Sequence, residues 1–516
     1  MEKVKILWVD DEIELLKPHI LFLERKGYAI STANNGEDAI DMIDNQGYDI
    51  IFLDENMPGI SGLETLSLIY EKHNIPVVMI TKSEEEYIME EALGSKISDY
   101  LIKPVNPHQI LLSLKKNLDT KRLVNHKVTS NYQKEFREIS MALMDVRSLR
   151  EWEAIYQKLV HWEVELDKID ASDMMEILEM QKGEANSQFF KYVKNNYKLW
   201  LNDGQEKPIL SHTLMKEKVF THLSNVTSSF FILIDNLRCD QWKTLQPIIE
   251  EWFTIEEETT FCSILPTATQ YSRNAIFSGL TPLGISKRFP HLWKNDHEEG
   301  GKNLHEKEFL EDQMQRLGLG SHRTSYHKVV KQQYGEKLVQ QFNNLLQNDL
   351  NVIVYNFVDM LSHSKTDMDM IRELAGNDKS YRALTRTWFE NSSLIEMLKK
   401  IAESGSHIFI TTDHGTINVS VPSKVVGDRE TSSNLRYKSG KRLQYEVKDV
   451  MVMDDPEQYF LPAANLTSSF IFAKENLYLT YPNNYNHYVK YFRDTYQHGG
   501  ISLEEMICPF IRMSPK

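Results

Sequence analysis

At 516 residues the chain is too long for one ordinary core, and a prior of roughly 100 to 200 residues per domain implies about three units. Its 74 acidic against 59 basic side chains give a formal net charge of −15, so the molecule as a whole repels duplex DNA and any nucleic-acid contact has to be local. Three widely separated cysteines, Cys239, Cys262 and Cys508, argue against a disulfide framework and a thiolate zinc site and for a reducing compartment.

The opening MEKVKILWVDDE runs straight into an apolar strand without the pattern of a signal peptide. No apolar run approaches the ~18 residues of a membrane span. A cytoplasmic protein with no membrane span is the expectation.

Residues 1–120 alternate short apolar runs, VKILWV, YAIST, YDIIFLD, IPVVMIT and SDYLIK, with helical spacings such as Ile13, Leu16, Ile20 and Leu23. That pattern predicts a parallel sheet with helices on both faces, whose ligands bind at the carboxyl ends of the strands. Asp10, Asp11, Asp54, Thr81 and Lys103 all fall at those ends. Crowded carboxylates repel unless a hard divalent cation sits among them, and oxygen ligands suit Mg²⁺. Asp54 is then the nucleophile toward a phosphoryl donor, with the metal and Lys103 neutralising the transferred oxygens and Thr81 hydrogen-bonding the product.

From Asn106-Pro107, a good helix start, the chain turns helical. Within the middle region, residues 121–206, Leu149, Trp152, Tyr156, Leu159, Trp162, Leu166 and Ile169 share one helix face. A short helix over Asp173–Gln181 and another over Asn186–Leu201 complete a predicted small bundle, ended by Asp203-Gly204 and Pro208. Its tryptophans read as core, and its role as mechanical coupling. Mixed charges and the lack of a basic helix-turn-helix pattern disfavour a DNA-binding output.

Residues 207–516 alternate strand and helix signals again, with strands in SSFFILID, FCSILP, NVIVYNFVD, HIFITTD and SSFIFA, big enough for one large α/β domain. Asp235 ends the first of these. Thr269 follows Pro266 where a strand turns into a helix, whose N-terminus suits a phosphate. Asp359 and His363 are one helical turn apart in FVDMLSH, Asp413 and His414 end a strand in FITTDHGT, and His498 precedes a glycine pair in YQHGGIS. Mixed carboxylate and imidazole ligands favour Zn²⁺ or Mn²⁺. Six of them plus a hydroxyl exceed one tetrahedral site, so two ions about 4 Å apart are expected, in the arrangement that stabilises both oxygens of a phosphoryl displacement. Thr267 is a rival nucleophile, and Arg273 a candidate phosphate binder. The stretch from Lys424 to Lys448, with Arg429, Arg436, Lys438, Lys441 and Arg442 around Tyr437 and Tyr445, reads either as a solvated loop or lid or as a surface that draws an anionic substrate.

The VDDE pair, LDENMPGISG, Thr81 in VVMITK and Lys103-Pro104 in DYLIKP resemble the receiver domain of two-component response regulators. The resemblance implies a flavodoxin-like fold, phosphorylation at Asp54, and Mg²⁺ held by Asp11, Asp54 and the carbonyl of Asn56 with Asp10 assisting through water. It makes Tyr100 the aromatic that moves on activation. The C-terminal motifs resemble the alkaline phosphatase superfamily, most closely its PglZ branch. That implies Asp359, His363 and His498 on one zinc, Asp235, Asp413 and His414 on the other, and Thr269 as nucleophile and ligand of the second ion. Ser278-Gly279 matches the Ser/Thr-Gly pair that follows the family's nucleophile.

Receiver, helical linker and PglZ-type domain in this order resemble the response regulators associated with type IX secretion in Bacteroidetes. The resemblance implies a sensor histidine kinase as phosphodonor, an extracytoplasmic-function sigma factor as partner, and a homodimer formed on phosphorylation through the surface around residues 83–118. Two function classes follow. One is a phosphorylation-regulated phosphodiesterase or phosphatase, with cyclic or linear oligonucleotides as favoured substrates. The other is a scaffold that binds the sigma factor, with catalysis secondary.

Overall fold

Strand β1 (Lys5–Val9) buries four consecutive residues, Ile6, Leu7, Trp8 and Val9, which a strand achieves only when both faces of its sheet are covered. The computed structural model describes residues 3–82, 97–169, 172–202, 207–223, 227–428, 430–463, 465 and 467–516. Contacts divide the chain into two units, Met1–Asn131 and Tyr132–Lys516.

In the first unit, β1 is joined by β2 (Ala29–Ala33), β3 (Ile50–Asp54), β4 (Val77–Thr81) and β5 (Asp99–Ile102). The sheet is parallel throughout, in the order β2-β1-β3-β4-β5. Leu7, Val9, Ile51 and Leu53 pack on one side with Ala39, Ile43, Leu66 and Ile69, from helices Gly36–Asn45 and Gly62–Lys72. Ile6, Trp8, Ile50 and Phe52 pack on the other with Leu23, Ile110 and Leu114. This is the flavodoxin-like order, and the chain reverses direction across the sheet between β1 and β3, where such folds bind ligands. Of the pairing surface expected at 83–118, residues 83–96 lie outside those described.

Helix Pro107–Leu143 crosses the division at Asn131, and helices Leu149–Lys168 and Ser172–Leu201 belong to the second unit. Ser148 and Glu151 cap the second of these helices reciprocally, and Leu149, Trp152, Tyr156, Leu159, Trp162 and Leu166 are buried on it as expected, with Ile169 half-buried. The two short helices expected after Asp173 are instead one, unbroken through Gly183. A single glycine costs a helix only about 1 kcal/mol, less than tertiary packing returns when neighbours such as Leu178, Ala185 and Phe189 are buried. Asp203 and Gly204 lie outside the described residues.

The large sheet has six strands. β6 (Ser229–Ile234), β7 (Phe253–Cys262), β8 (Thr324–Val329), β9 (Leu350–Tyr355) and β10 (His407–Thr411) join the C-terminal strand Ile507–Pro515 in the order β7, C-terminal strand, β10, β6, β9, β8. β10, β6, β9 and β8 run parallel, and the C-terminal strand is antiparallel to both its neighbours. β6 and β9 are buried along their whole length. Two of the expected strands end early: FCSILP leaves the sheet at Cys262, and NVIVYNFVD turns into a helix at Phe357.

Beyond β10 the chain builds small appended sheets before it returns. Strand Ile417–Val419 pairs antiparallel with Thr495–Gln497, and Tyr437–Lys441 pairs with Ser468–Ala473. The Lys424–Lys448 stretch is therefore partly strand rather than all loop, and two of its cations are turned inward, while Lys424, Arg442 and Lys448 are exposed. Arg436 is fully buried on Glu505, with contacts of 3.0 and 2.7 Å, and the buried Lys438 ammonium lies 4.4 Å from the centre of the Tyr481 ring. Arg429 is outside the described residues.

Candidate functional site

Among the described residues, three groups of acidic and histidine side chains could hold a metal ion: Asp10, Asp11 and Asp54; Asp235, Asp413 and His414; and Asp359, His363 and His498. Within each group the ligand atoms lie within 4.8 Å of one another.

The first group sits at the β1/β3 reversal. Asp54 is the last residue of β3 and Asp10 follows β1, and both are buried while Asp11 is exposed. Lys103, just past β5, places its ammonium 2.8 Å from Asp10 and 3.0 Å from Asp54. Burial raises the Asp54 carboxyl above its usual range despite the opposing lysine, and its Oδ1 is buried with no hydrogen-bond partner among the described residues. Burial pulls Lys103 down, but its bonds to the two aspartates leave it raised overall. Thr81 ends β4, Tyr100 lies 42 % exposed on β5, and Asn56 is exposed in the loop after Asp54.

The other two groups come together at the carboxyl ends of adjacent strands. Asp235 follows β6, Asp413 and His414 follow β10, and helix Phe357–Asp367 after β9 carries Asp359 and His363 four residues apart, hence on one face. The Ile417–Gln497 pairing brings His498, the next residue, back to the end of the sheet that holds His414. The two imidazole rings stack with centroids 4.3 Å apart.

The separations are those of ligands around ions rather than of hydrogen bonds. His363 and His498 stand 3.5 and 3.6 Å from the Asp359 carboxylate, and His414 stands 3.9 Å from Asp235 and 3.8 Å from Asp413. Two ligands each about 2 Å from a shared tetrahedral ion lie about 3.3 Å apart.

The surroundings aim one atom of each of four candidate ligands inward. His414 Nδ1 faces the Gly415 carbonyl at 3.1 Å and His498 Nδ1 that of Thr267 at 3.2 Å, which turns both Nε2 atoms toward the centre. Asp413 Oδ1 accepts from the backbone amides of Asn236 and His414, while its buried Oδ2 has no hydrogen-bond partner. Asp235 Oδ2 accepts from Arg273 and from Asn356, both at 2.8 Å, which leaves Oδ1 for the centre. Burial pushes the Asp235 and Asp359 carboxyls up to about 6, with neighbouring carboxylates adding to it. Burial, then the His414 and His363 imidazoles, push His498 well below its usual value.

Thr269 opens helix Thr269–Ser278 and is half-buried, its hydroxyl 3.1 Å from His414 Nε2 and 3.5 Å from Asp235 Oδ1. Thr267 is differently employed. It is fully buried and donates to the Gly500 carbonyl at 2.9 Å, accepts from the Gly499 amide at 3.1 Å, and holds His498 with its own carbonyl.

Arg273 is not placed to grip phosphate. It is fully buried between Asp235 and Glu306, at 2.8 Å from each, so its guanidinium neutralises and orients a ligand carboxylate. Asn236 and Asn356 went unnoticed in the sequence. Asn236 adopts φ +67°, a left-handed conformation that asparagine tolerates, and its amide reaches Ser362 and Asp359. The only sequence signal for either was adjacency, one directly after Asp235 and one directly after β9.

A second layer of buried charge backs the site. Arg238, three residues past Asp235, binds Asp240 and Asp378, and Tyr496, two residues before His498, donates to the same Asp378 at 2.7 Å. Arg382 joins Asp240 to Glu163 of the helical linker, and Lys182 of the linker binds Glu163 at 2.7 Å and lies 3.6 Å from Glu504.

The family model of the PglZ alkaline phosphatase-like domain of BREX systems matches residues 214–513, more than half of the chain. The chain belongs to the PglZ alkaline phosphatase-like family. Residues 122–201 match the linker domain of the PorX response regulator and residues 6–115 the response regulator receiver domain, so this PglZ-family chain has a PorX-like architecture. This domain order supports a two-component regulator with a hydrolase-like effector domain.

Among curated proteins it is similar to transcriptional regulatory protein ResD of Bacillus subtilis (strain 168), 38 % identical over 113 residues, 22 % of this chain and 47 % of that one. It is also similar to the CpxR homolog of Haemophilus influenzae, 37 % identical over 113 residues, 22 % of this chain and 48 % of that one. The chain thus spans about half the length of these relatives. Among solved structures, a CheY-like receiver from Methanospirillum hungatei JF-1 aligns at 26 % identity over 23 % of this chain and 96 % of its own, with TM-score 0.22. A response regulator from Clostridium difficile aligns at 33 % identity over 23 % of this chain and 97 % of its own, also at 0.22. No helix among the described residues is long and apolar enough to cross a membrane.

Proposed function

We propose that a sensor histidine kinase phosphorylates Asp54, that this drives homodimerisation, and that the dimer controls a zinc-dependent phosphodiesterase or phosphatase centred on Thr269. Nucleotide-type phosphoesters, cyclic or linear oligonucleotides among them, are the substrates, and the setting is cytoplasmic control of type IX secretion. In the receiver, Asp11, Asp54 and the Asn56 carbonyl would hold Mg²⁺, with Asp10 acting through water and Lys103 and Thr81 receiving the phosphoryl oxygens.

The observation that carries the hydrolase reading is the Thr269 hydroxyl beside Asp235 and His414, next to a second trio of ligand type. The donor set fits zinc, with imidazole Nε2 and carboxylate oxygen mixed and the buried Asp413 Oδ2 without a hydrogen-bond partner among the described residues. Asp235, Asp413 and His414 would hold one ion and Asp359, His363 and His498 the other. Zinc at these positions supplies a lowered hydroxyl pKa and neutralisation of the phosphoryl oxygens.

Thr269 Oγ then attacks phosphorus, and its bond to phosphorus forms as the ester bond to the leaving alkoxide breaks. Water cleaves the threonine ester in a second displacement and restores the hydroxyl. Ala268 offers no side-chain cap to the start of helix Thr269–Ser278, so the amides of Thr269 and Gln270 could face phosphoryl oxygens, while that of Tyr271 donates to the Ala268 carbonyl. His363 is 62 % exposed, which leaves the site open on that side for a large ester.

Elemental analysis of the purified protein, with hydrolysis of phosphomono- and diesters by the parent and by Thr269→Val, tests this. Bound zinc and activity lost in the variant support the reading. A parent protein that cleaves no ester leaves the sigma-factor scaffold in its place.

A further inference from the structure

A cavity of about 380 Å³, unused by the chemistry above, lies against the helix that carries Asp359 and His363. Lys365, Arg372, Lys490 and Arg493 line it, with Asn486 and a single carboxylate, Asp494. Its volume is that of a small-molecule site. Four cations facing one carboxylate stand out in a chain of net charge −15.

Lys365 is the telling residue. It is 1 % exposed, and its ammonium is buried with no hydrogen-bond partner among the described residues, 4.2 Å from the centre of the Tyr496 ring. An ammonium carries three donors, and burying them unsatisfied is costly unless an anion takes them up. The ring face supplies attraction but no acceptor for a full hydrogen bond. Arg372 is held in place by the Thr366 and Tyr491 carbonyls at 2.7 and 3.3 Å, while Lys490 and Arg493 are exposed at the rim. Successive helix residues turn by about 100°, so Lys365 projects from the side of the helix away from His363.

We propose that this cavity binds a small anion bearing a phosphate group, with the Lys365 ammonium at its floor and Arg372, Lys490 and Arg493 around it. A lining with three more positive than negative side chains matches a dianion with several acceptor oxygens better than a single carboxylate. The site borders both carriers of the Asp359, His363 and His498 group, because Tyr496 lies two residues before His498. Its existence does not depend on what chemistry that group performs.

Calorimetric titration of the full chain with inorganic phosphate, and in a second arm with adenosine 5′-monophosphate, tests the site. Lys490→Glu, Arg493→Glu and their combination are surface changes that leave the fold in place, and Lys365→Met removes the floor. The expected result is binding by the parent that weakens about tenfold or more in the double variant and in Lys365→Met. Tighter binding of the nucleotide identifies a nucleotide ligand, and equal binding identifies the phosphate group alone; either supports the site if the variants lose it. Phosphate binding unchanged in the double variant, or absent from the parent, overturns the proposal.

Discussion

Replacing Arg273 by Met tests how the metal-ligand set is held together. Arg273, Asp235 and Glu306 are all buried, at 0, 1 and 2 % side-chain exposure. Methionine fills similar volume but leaves two carboxylates without the guanidinium between them, although Lys328 still stands 3.3 Å from Glu306. Removing one partner of a buried ion pair costs about 3–5 kcal/mol. At roughly 2.1 cal/mol/K per residue, a unit spanning Tyr132–Lys516 has an unfolding entropy near 0.8 kcal/mol/K, so its transition should fall by about 4–6 °C. Zinc should recover part of that shift, because a cation beside Asp235 substitutes for the lost charge. Differential scanning calorimetry with and without zinc reads both quantities, and Arg273→Lys, which keeps the charge and loses the fork, should fall between. A transition within about 1 °C of the parent would refute the role given to the guanidinium.

Other outcomes follow from the same geometry. Thr269→Val should abolish ester hydrolysis while zinc content is kept, whereas Thr267→Val, which frees the loop holding His498, should lower metal affinity about 10- to 100-fold, read by competition with a chelator. Asp54→Asn should prevent labelling by a phosphodonor and block any assembly that beryllofluoride induces in the parent, as followed by light scattering. Burial opposes it, but Arg238 and Arg382 hold the Asp240 carboxyl down to about 2. A carboxyl depressed on folding stabilises above its unfolded value near 3.9, and that stabilisation drains as pH falls toward about 2. The urea-midpoint advantage of the parent over Asp240→Asn should therefore shrink between about pH 4 and pH 2, and an advantage constant across that range would argue against the ion pair. Gly183→Ala should stabilise by about 0.5–1 kcal/mol, since a Cβ there meets nothing within 4 Å.

The side chains of the candidate sites were legible because parallel sheets gather ligands at one end. Asp10, Asp54, Asp235 and Asp413 each close or follow an apolar run that a sequence displays directly, and each stands at the end of its strand. The residues that aim them were not legible. Arg273 looked like a phosphate binder because spacing along a helix says nothing about a glutamate arriving from residue 306. Strand β7 reads as FTIEEETTFC, too charged to suggest a sheet, because only its last residues are continuously buried. The C-terminal strand contains Pro509, which argues against a central position, yet it lies between β7 and β10, with the Pro509 carbonyl accepting from Thr411. Two members of the cationic run after Lys424 are buried for a related reason that the sequence does not display: Arg436 and Lys438 reach Glu505 and Tyr481, far along the chain.

The pairing of Ile417 with Gln497 has a consequence for how the centre is assembled in time. During synthesis, five of the six ligand residues emerge by His414, but the sixth waits for another eighty or so residues, folded into sheets of their own, to bring the chain back. Until that return, one trio is short of an imidazole, and a nascent or clipped protein would grip one cation far more weakly than the other. On the proposed function, full hydrolytic competence would be reserved for molecules whose appended layer has already closed.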